Sequence, residues 1–182
     1  MKKLIFLGFF ILLVVNISAQ SRLYIPVSNL ENQSYSRINK NVWPDDVRNN
    51  FENYTQTLTG WVGIVEKYMT DFSNTEYNVL GLYVKHHYYN WIEDFGLNNK
   101  PIQLSPDGEG YFICYYLFIK NFDATEMITN IVGDCIINYG YPIQMDDDVI
   151  ILNSEYIRFI SKEYVNPNWI NYGRNGFGDI IR

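Results

Sequence analysis

Two stretches of this chain, Tyr77 to Trp91 and Gly110 to Lys120, are so dense in aromatic and β-branched residues that they read as long β-strands. Leu80, Leu82 and Val84 share one face of the first. Ser105-Pro106-Asp107-Gly108 precedes the second and is a turn with a mechanism, because proline presets φ and glycine accepts a positive φ. Upstream, Thr57 to Met69 is ambiguous: Trp61, Val65, Tyr68 and Phe72 would line a helix, whereas Leu58, Val62 and Ile64 alternate as in a strand. Thr57, Thr59, Gly60 and Gly63 are poor helix formers, and glycines let a strand bend, so the expectation is strand. After the third strand, Asp123 and Glu126 are placed as a capping box, Met127, Ile128 and Ile131 as an apolar stripe, and Gly133 as a stop, which predicts a short helix. Asp134 to Tyr139 and Val149 to Leu152 are two more strands, joined through Tyr141-Pro142 and the acidic corner Asp146-Asp147-Asp148, with Tyr156 to Ile160 extending the last.

That order predicts a mainly β fold, an OB-like five-stranded barrel with a short helix between strands 3 and 4 and one N-terminal helix. An α+β sheet carrying two helices on one face has the same linear pattern. The N-terminal helix starts at Pro44 with Asp45 and Asp46 in its first turn, and Val47, Phe51 and Tyr54 line one face. The barrel domain is assigned to residues 43–165, after a polar, extended lead-in at 20–42 and before an Asn- and Gly-rich tail at 166–182.

Residues 1–19 have the layout of a secretory signal: Lys2 and Lys3, an apolar run from Leu4 to Val15, then Ser18-Ala19 before Gln20. The run is too short to span a bilayer, which takes roughly 20 apolar residues, and no later segment is apolar enough to do so. The expectation is an exported chain, periplasmic or extracellular, with no transmembrane segment after cleavage. Its formal charge of −6 becomes two units more negative when the signal is lost, which excludes nucleic acid as an expected partner. Cys114 and Cys135 permit a disulfide in an exported chain, and each also sits in an apolar run where a free thiol packs well. Both alternatives stay open, the bridge requiring Cα atoms within roughly 7 Å.

Three short motifs carry a family resemblance. Trp61-x-Gly63-x-Val65, Gly110-Tyr111-Phe112, and Gly133 to Gly140 enclosing Cys135-Ile136-Ile137 resemble the Slp family of bacterial outer-membrane proteins over about Leu58 to Ile160. The resemblance implies an OB-like envelope protein without known catalytic residues. Slp proteins carry a lipid-anchoring cysteine directly after the signal, and Gln20-Ser21-Arg22 stands there instead.

Chemistry is sparse. His86 and His87 are the only histidines, and neighbours on a regular strand point to opposite faces, so they cannot share a metal. His87 with Glu93 or Asp94 beyond the strand end is the acid–base alternative. Asp146 to Asp148 lack the spacing of a calcium loop, and Asp107 and Glu109 flank a turn without a predicted cleft. No nucleophile elbow, Walker loop, dinucleotide fingerprint or zinc-protease helix occurs, and no metal or cofactor is expected. The functional cue is aromatic: Tyr83, His87, Tyr89 and Trp91 share one strand parity, and Tyr111 and Tyr115 fall on the neighbouring strand. Such rings suit partly wet contacts, and the face of strands two and three is the usual ligand surface of an OB barrel. The reading is an exported, non-catalytic binding or structural protein of the bacterial cell envelope, its ligand a glycan or another protein. The rivals are a small periplasmic enzyme centred on His87 with Glu93 or Asp94, and an inhibitor or immunity-type protein.

Overall fold

A computed structural model describes residues 24–71, 76–89, 91, 101–119 and 130–165. Two short helices, α1 (Asn29–Tyr35) and α2 (Pro44–Asn49), and a 3-10 turn at Phe51–Asn53 lead into five strands. These are β1 (Thr59–Asp71), β2 (Tyr77–His87), β3 (Tyr111–Ile119), β4 (Cys135–Asp146) and β5 (Val149–Ile160), and a 3-10 turn at Lys162–Tyr164 follows. The strands close in the order β1-β2-β3-β5-β4. Every pairing is antiparallel except β3 with β5, which run parallel from Phe112↔Ile150 to Tyr115↔Asn153. The fold is thus mainly β, a closed barrel of the OB-like kind.

Period-two alternation sets the interior. Val65, Leu80, Leu82, Val84, Phe112, Cys114, Ile136, Ile150 and Leu152 point inward and are almost wholly buried. Trp61 joins them as part of a strand, its Nε1 donating to Val42 O at 2.9 Å. Val47 of α2 enters the same core, and Phe51 and Tyr54 pack against it, the stripe expected of this segment. Pro44 occupies the first turn, and the Asp46 carboxylate accepts the Trp43 N–H at 3.0 Å.

A second apolar layer lies outside the cylinder. Val62, Cys135, Ile137 and Tyr139, the alternate residues of β1 and β4, are covered by Tyr24, Tyr89, Trp91, Ile102 and Leu104. Here the lead-in departs from expectation, because residues 29–35 form α1 rather than extended chain. Ser28 caps it, accepting the Glu31 N–H at 3.1 Å. Its buried residues are polar, Glu31 and Ser34. Glu31 accepts from Tyr24 and from Tyr139 Oη (3.0 Å), and Arg158 of β5 pairs with it at 3.6 Å.

A second departure is at Tyr141-Pro142, which lies inside β4 and not between strands. The register shifts between Pro142 and Gln144, so a bulge accommodates a residue that has no N–H for the ladder. Tyr156 to Ile160 do extend β5, and the acidic corner makes the β4–β5 turn, with Asp147 at φ 49°. The expected helix at Asp123 to Gly133 falls largely outside the described residues. Of its end, Ile131 is buried in the core and Gly133 has φ +89°. Among the described residues no helix is long and apolar enough to cross a membrane.

Candidate functional site

The outer face of β1, β2 and β3 holds the part of the expected aromatic surface that reaches solvent. Tyr83, Tyr111 and Tyr115 are half-buried there. Tyr83 lies diagonally across from Tyr111, and their rings stack with centroids 4.9 Å apart and planes 15° from parallel. Register places Lys67 opposite Tyr83 and Lys85 opposite Tyr111, so a lysine stands on each side of the stack. The Lys67 ammonium is 5.8 Å from the Tyr83 ring centre, within cation–π range.

Beside Tyr83 the face sinks into a depression of about 220 Å³, lined by Lys67, Tyr68, Met69, Gly81, Tyr83 and Ile113. Gly81 makes the hollow. Its cross-strand partners are Met69 and Tyr115, and a Cβ at this position would come within 2.7 Å of Met69 Cγ and 2.9 Å of Tyr115 Cε1. Met69 and Tyr68 are well exposed, as is Leu117 further along β3. The sequence reading does not include Lys67, Tyr68, Met69, Gly81 and Ile113 among the site residues. The available signal was a glycine of the same parity as Tyr83 inside an otherwise bulky run.

The other half of the expected face is corrected: His87, Tyr89 and Trp91 are 5%, 1% and 8% exposed. β2 ends at His87, so strand parity does not carry on to Trp91. Tyr24 packs edge-on against Tyr89 and Trp91, and Tyr35 of α1 lies 5.6 Å from Trp91. Lys40 sits over the Tyr35 ring at 3.9 Å, closing this cluster.

His87 Nδ1 lies 2.8 Å from Ser105 O, and burial pushes its pKa down although that contact pulls the other way. Its proposed partners Glu93 and Asp94 lie outside the described residues. His86 points to the opposite side, as expected, and its Nδ1 accepts the Glu109 N–H at 3.0 Å. The Glu109 carboxylate accepts from Tyr88 Oη (2.6 Å) and from the Asp45 N–H (2.8 Å), which joins α2 to the turn before β3. This buried set is structural, since each polar atom named is directed at another part of the fold. Among the described residues no group of three or more His, Cys, Asp or Glu is arranged to hold a metal ion.

Cys114 and Cys135 are free and fully buried. Cys114 faces the barrel interior and Cys135 the outer layer. Their strands are separated by β5, so the bridge does not form. Burial pushes the Cys114 thiol up to about 12 and raises that of Cys135 as well.

The class defined so far is a closed OB-like barrel with a ring-sized hollow on the outer face of its first three strands. No known protein family, curated protein or solved structure matches the chain.

Proposed function

We propose that this chain is an exported, non-catalytic binding protein of the bacterial cell envelope, and that the hollow at Gly81 is where its ligand sits. The observation that carries the reading is the depression of about 220 Å³ walled by Tyr83 and Met69 on the exposed side of a closed barrel. Amphipathic rings backed by a rigid sheet offer area at little entropic cost, and this face is the one OB barrels use for ligands. The signal-like residues 1–19 support export, and the resemblance to the Slp family supports the envelope. The enzyme rival is weakened because His87 is enclosed and its Nδ1 is engaged by Ser105 O.

Titration of the purified protein against isolated envelope polysaccharide and envelope protein fractions tests this. Replacing Tyr83 and Met69 together by alanine raises Kd at least about tenfold, an amount worth ~1.4 kcal/mol, and leaves Tm within a few degrees because both side chains face solvent. Unchanged binding overturns the proposal, as does turnover of any envelope component that His87→Ala abolishes.

A further inference from the structure

We infer that the occupant of the Gly81 hollow is a carboxylate-bearing sugar ring, so that the protein recognises an acidic glycan. This rests on the reading of the outer β1–β3 face as a binding surface and names the ligand class for it. Size is the first argument. A hollow of about 220 Å³ with a glycine floor accepts a single ring, not a folded protein surface. A saccharide ring presents C–H groups to an aromatic side chain and hydroxyls to water, which matches a half-buried tyrosine.

Geometry also favours a glycan over a peptide. An extended peptide gains affinity by adding a strand to a free sheet edge. Here the cylinder closes through Thr59–Ile64 of β1 against β4 and Phe112–Tyr115 of β3 against β5, and the hollow lies on the face of the sheet, lined by side chains, and not along a strand edge. What remains is recognition by side chains on a face.

Charge is the third. The chain carries a formal net charge of −6, yet the two residues flanking the Tyr83–Tyr111 stack are both lysines. Glu66, extra to the register between Val65 and Lys67, and Lys85 both act on the charge of His87, in opposite directions. Asp71 lies opposite Val79, beyond Met69 and Gly81 on the same face. A ring stacked on Tyr83 therefore places an acidic substituent near the Lys67 ammonium, and the next residue of the polymer near Lys85. Elsewhere the protein's own charge repels such a polymer, which fixes where it lands.

The test is isothermal titration of the full mature protein with uronate oligosaccharides, galacturonate and mannuronate tetramers, and with their carboxyl-reduced neutral counterparts. The expected result is that the acid forms bind at least about tenfold tighter. Lys67→Gln with Lys85→Gln removes most of that preference, each exposed lysine contributing about two- to fivefold, and raised salt narrows it. Tyr83→Ala weakens both forms. Equal binding of acid and neutral forms through Tyr83 overturns the acidic-glycan inference and leaves the binding surface standing. Binding of neither form, or binding that ignores Tyr83→Ala, overturns the inference. If the double variant of Tyr83 and Met69 then still binds the envelope fractions like the parent, the surface itself falls too. Equal affinity for an oligoglutamate peptide shows that charge alone is read and also overturns the inference.

Discussion

At the residue scale, two glycines of the sheet do opposite work. A Cβ at Gly63 would collide with the Lys85 carbonyl and lie 2.6 Å from Val84 Cγ1, so backbone has to move. One at Gly81 meets only the flexible Met69 side chain and the edge of the Tyr115 ring. Gly63→Ala is therefore expected to cost about 1 to 3 kcal/mol, the range for overpacking, and to lower Tm by roughly 2 to 4 °C per kcal/mol. Gly81→Ala should change Tm much less while filling the floor of the hollow and weakening ligand binding severalfold. Differential scanning calorimetry beside the titration separates the two. Equal Tm losses would show that Gly81 serves the sheet and not the site. The ring residues teach a related lesson. Tyr83, Tyr111 and Tyr115 were legible because strand parity holds along β2 and β3. Tyr89 and Trp91 were not, because what buries them is Tyr24 and Tyr35, more than fifty residues away in the chain.

At the scale of elements, β2 and β3 could be read because aromatic and β-branched side chains crowd them, whereas β1 was reached only through its poor helix formers Thr57, Thr59, Gly60 and Gly63. The linear order of the strands pointed to an OB-like barrel, and the pairing order is seen in the structure. α1 could not be read, since Asn29–Tyr35 has no apolar stripe at helical spacing. Its place is fixed by polar contacts: Glu31 with Tyr139 and Arg158, Ser34 with Glu155 at 2.6 Å, and Arg37 with Glu155. Of these, the Arg37 pair is exposed and contributes little, whereas Arg158 and Glu31 are 9% and 0% exposed at their side chains. Glu31→Ala removes the buried carboxylate that pairs with Arg158 and accepts from the Tyr24 and Tyr139 hydroxyls, which should cost about 3 to 5 kcal/mol. Limited proteolysis is expected to cut the variant first around residues 24–40, with the barrel strands still protected in hydrogen exchange. Simultaneous loss of protection everywhere would show that the clamp and the cylinder unfold as one.

At the scale of the whole molecule, the two cysteines report on closure. One faces into the cylinder and the other into the layer beneath Tyr24 and Ile102, both fully buried, and burial holds both thiols protonated. Reaction with a thiol reagent at neutral pH should therefore be negligible in the native state and yield two equivalents in denaturant, without prior reduction. Release of thiols only after reduction would contradict their free state, and rapid native labelling would contradict the packing.

The seam of the cylinder sets an order of events. Thr59 meets Gly140, and Phe112 lies alongside Ile150, so the staves that complete the circle come from far-separated parts of the chain. Cys135 stands between Ile64 and Ile160, nearly a hundred residues apart in the chain. A polypeptide emerging from its amino end can make the first meander early, yet the ring stays open until β4 and β5 have been delivered. A chain built this way stays pliant until its last staves arrive, and only then locks.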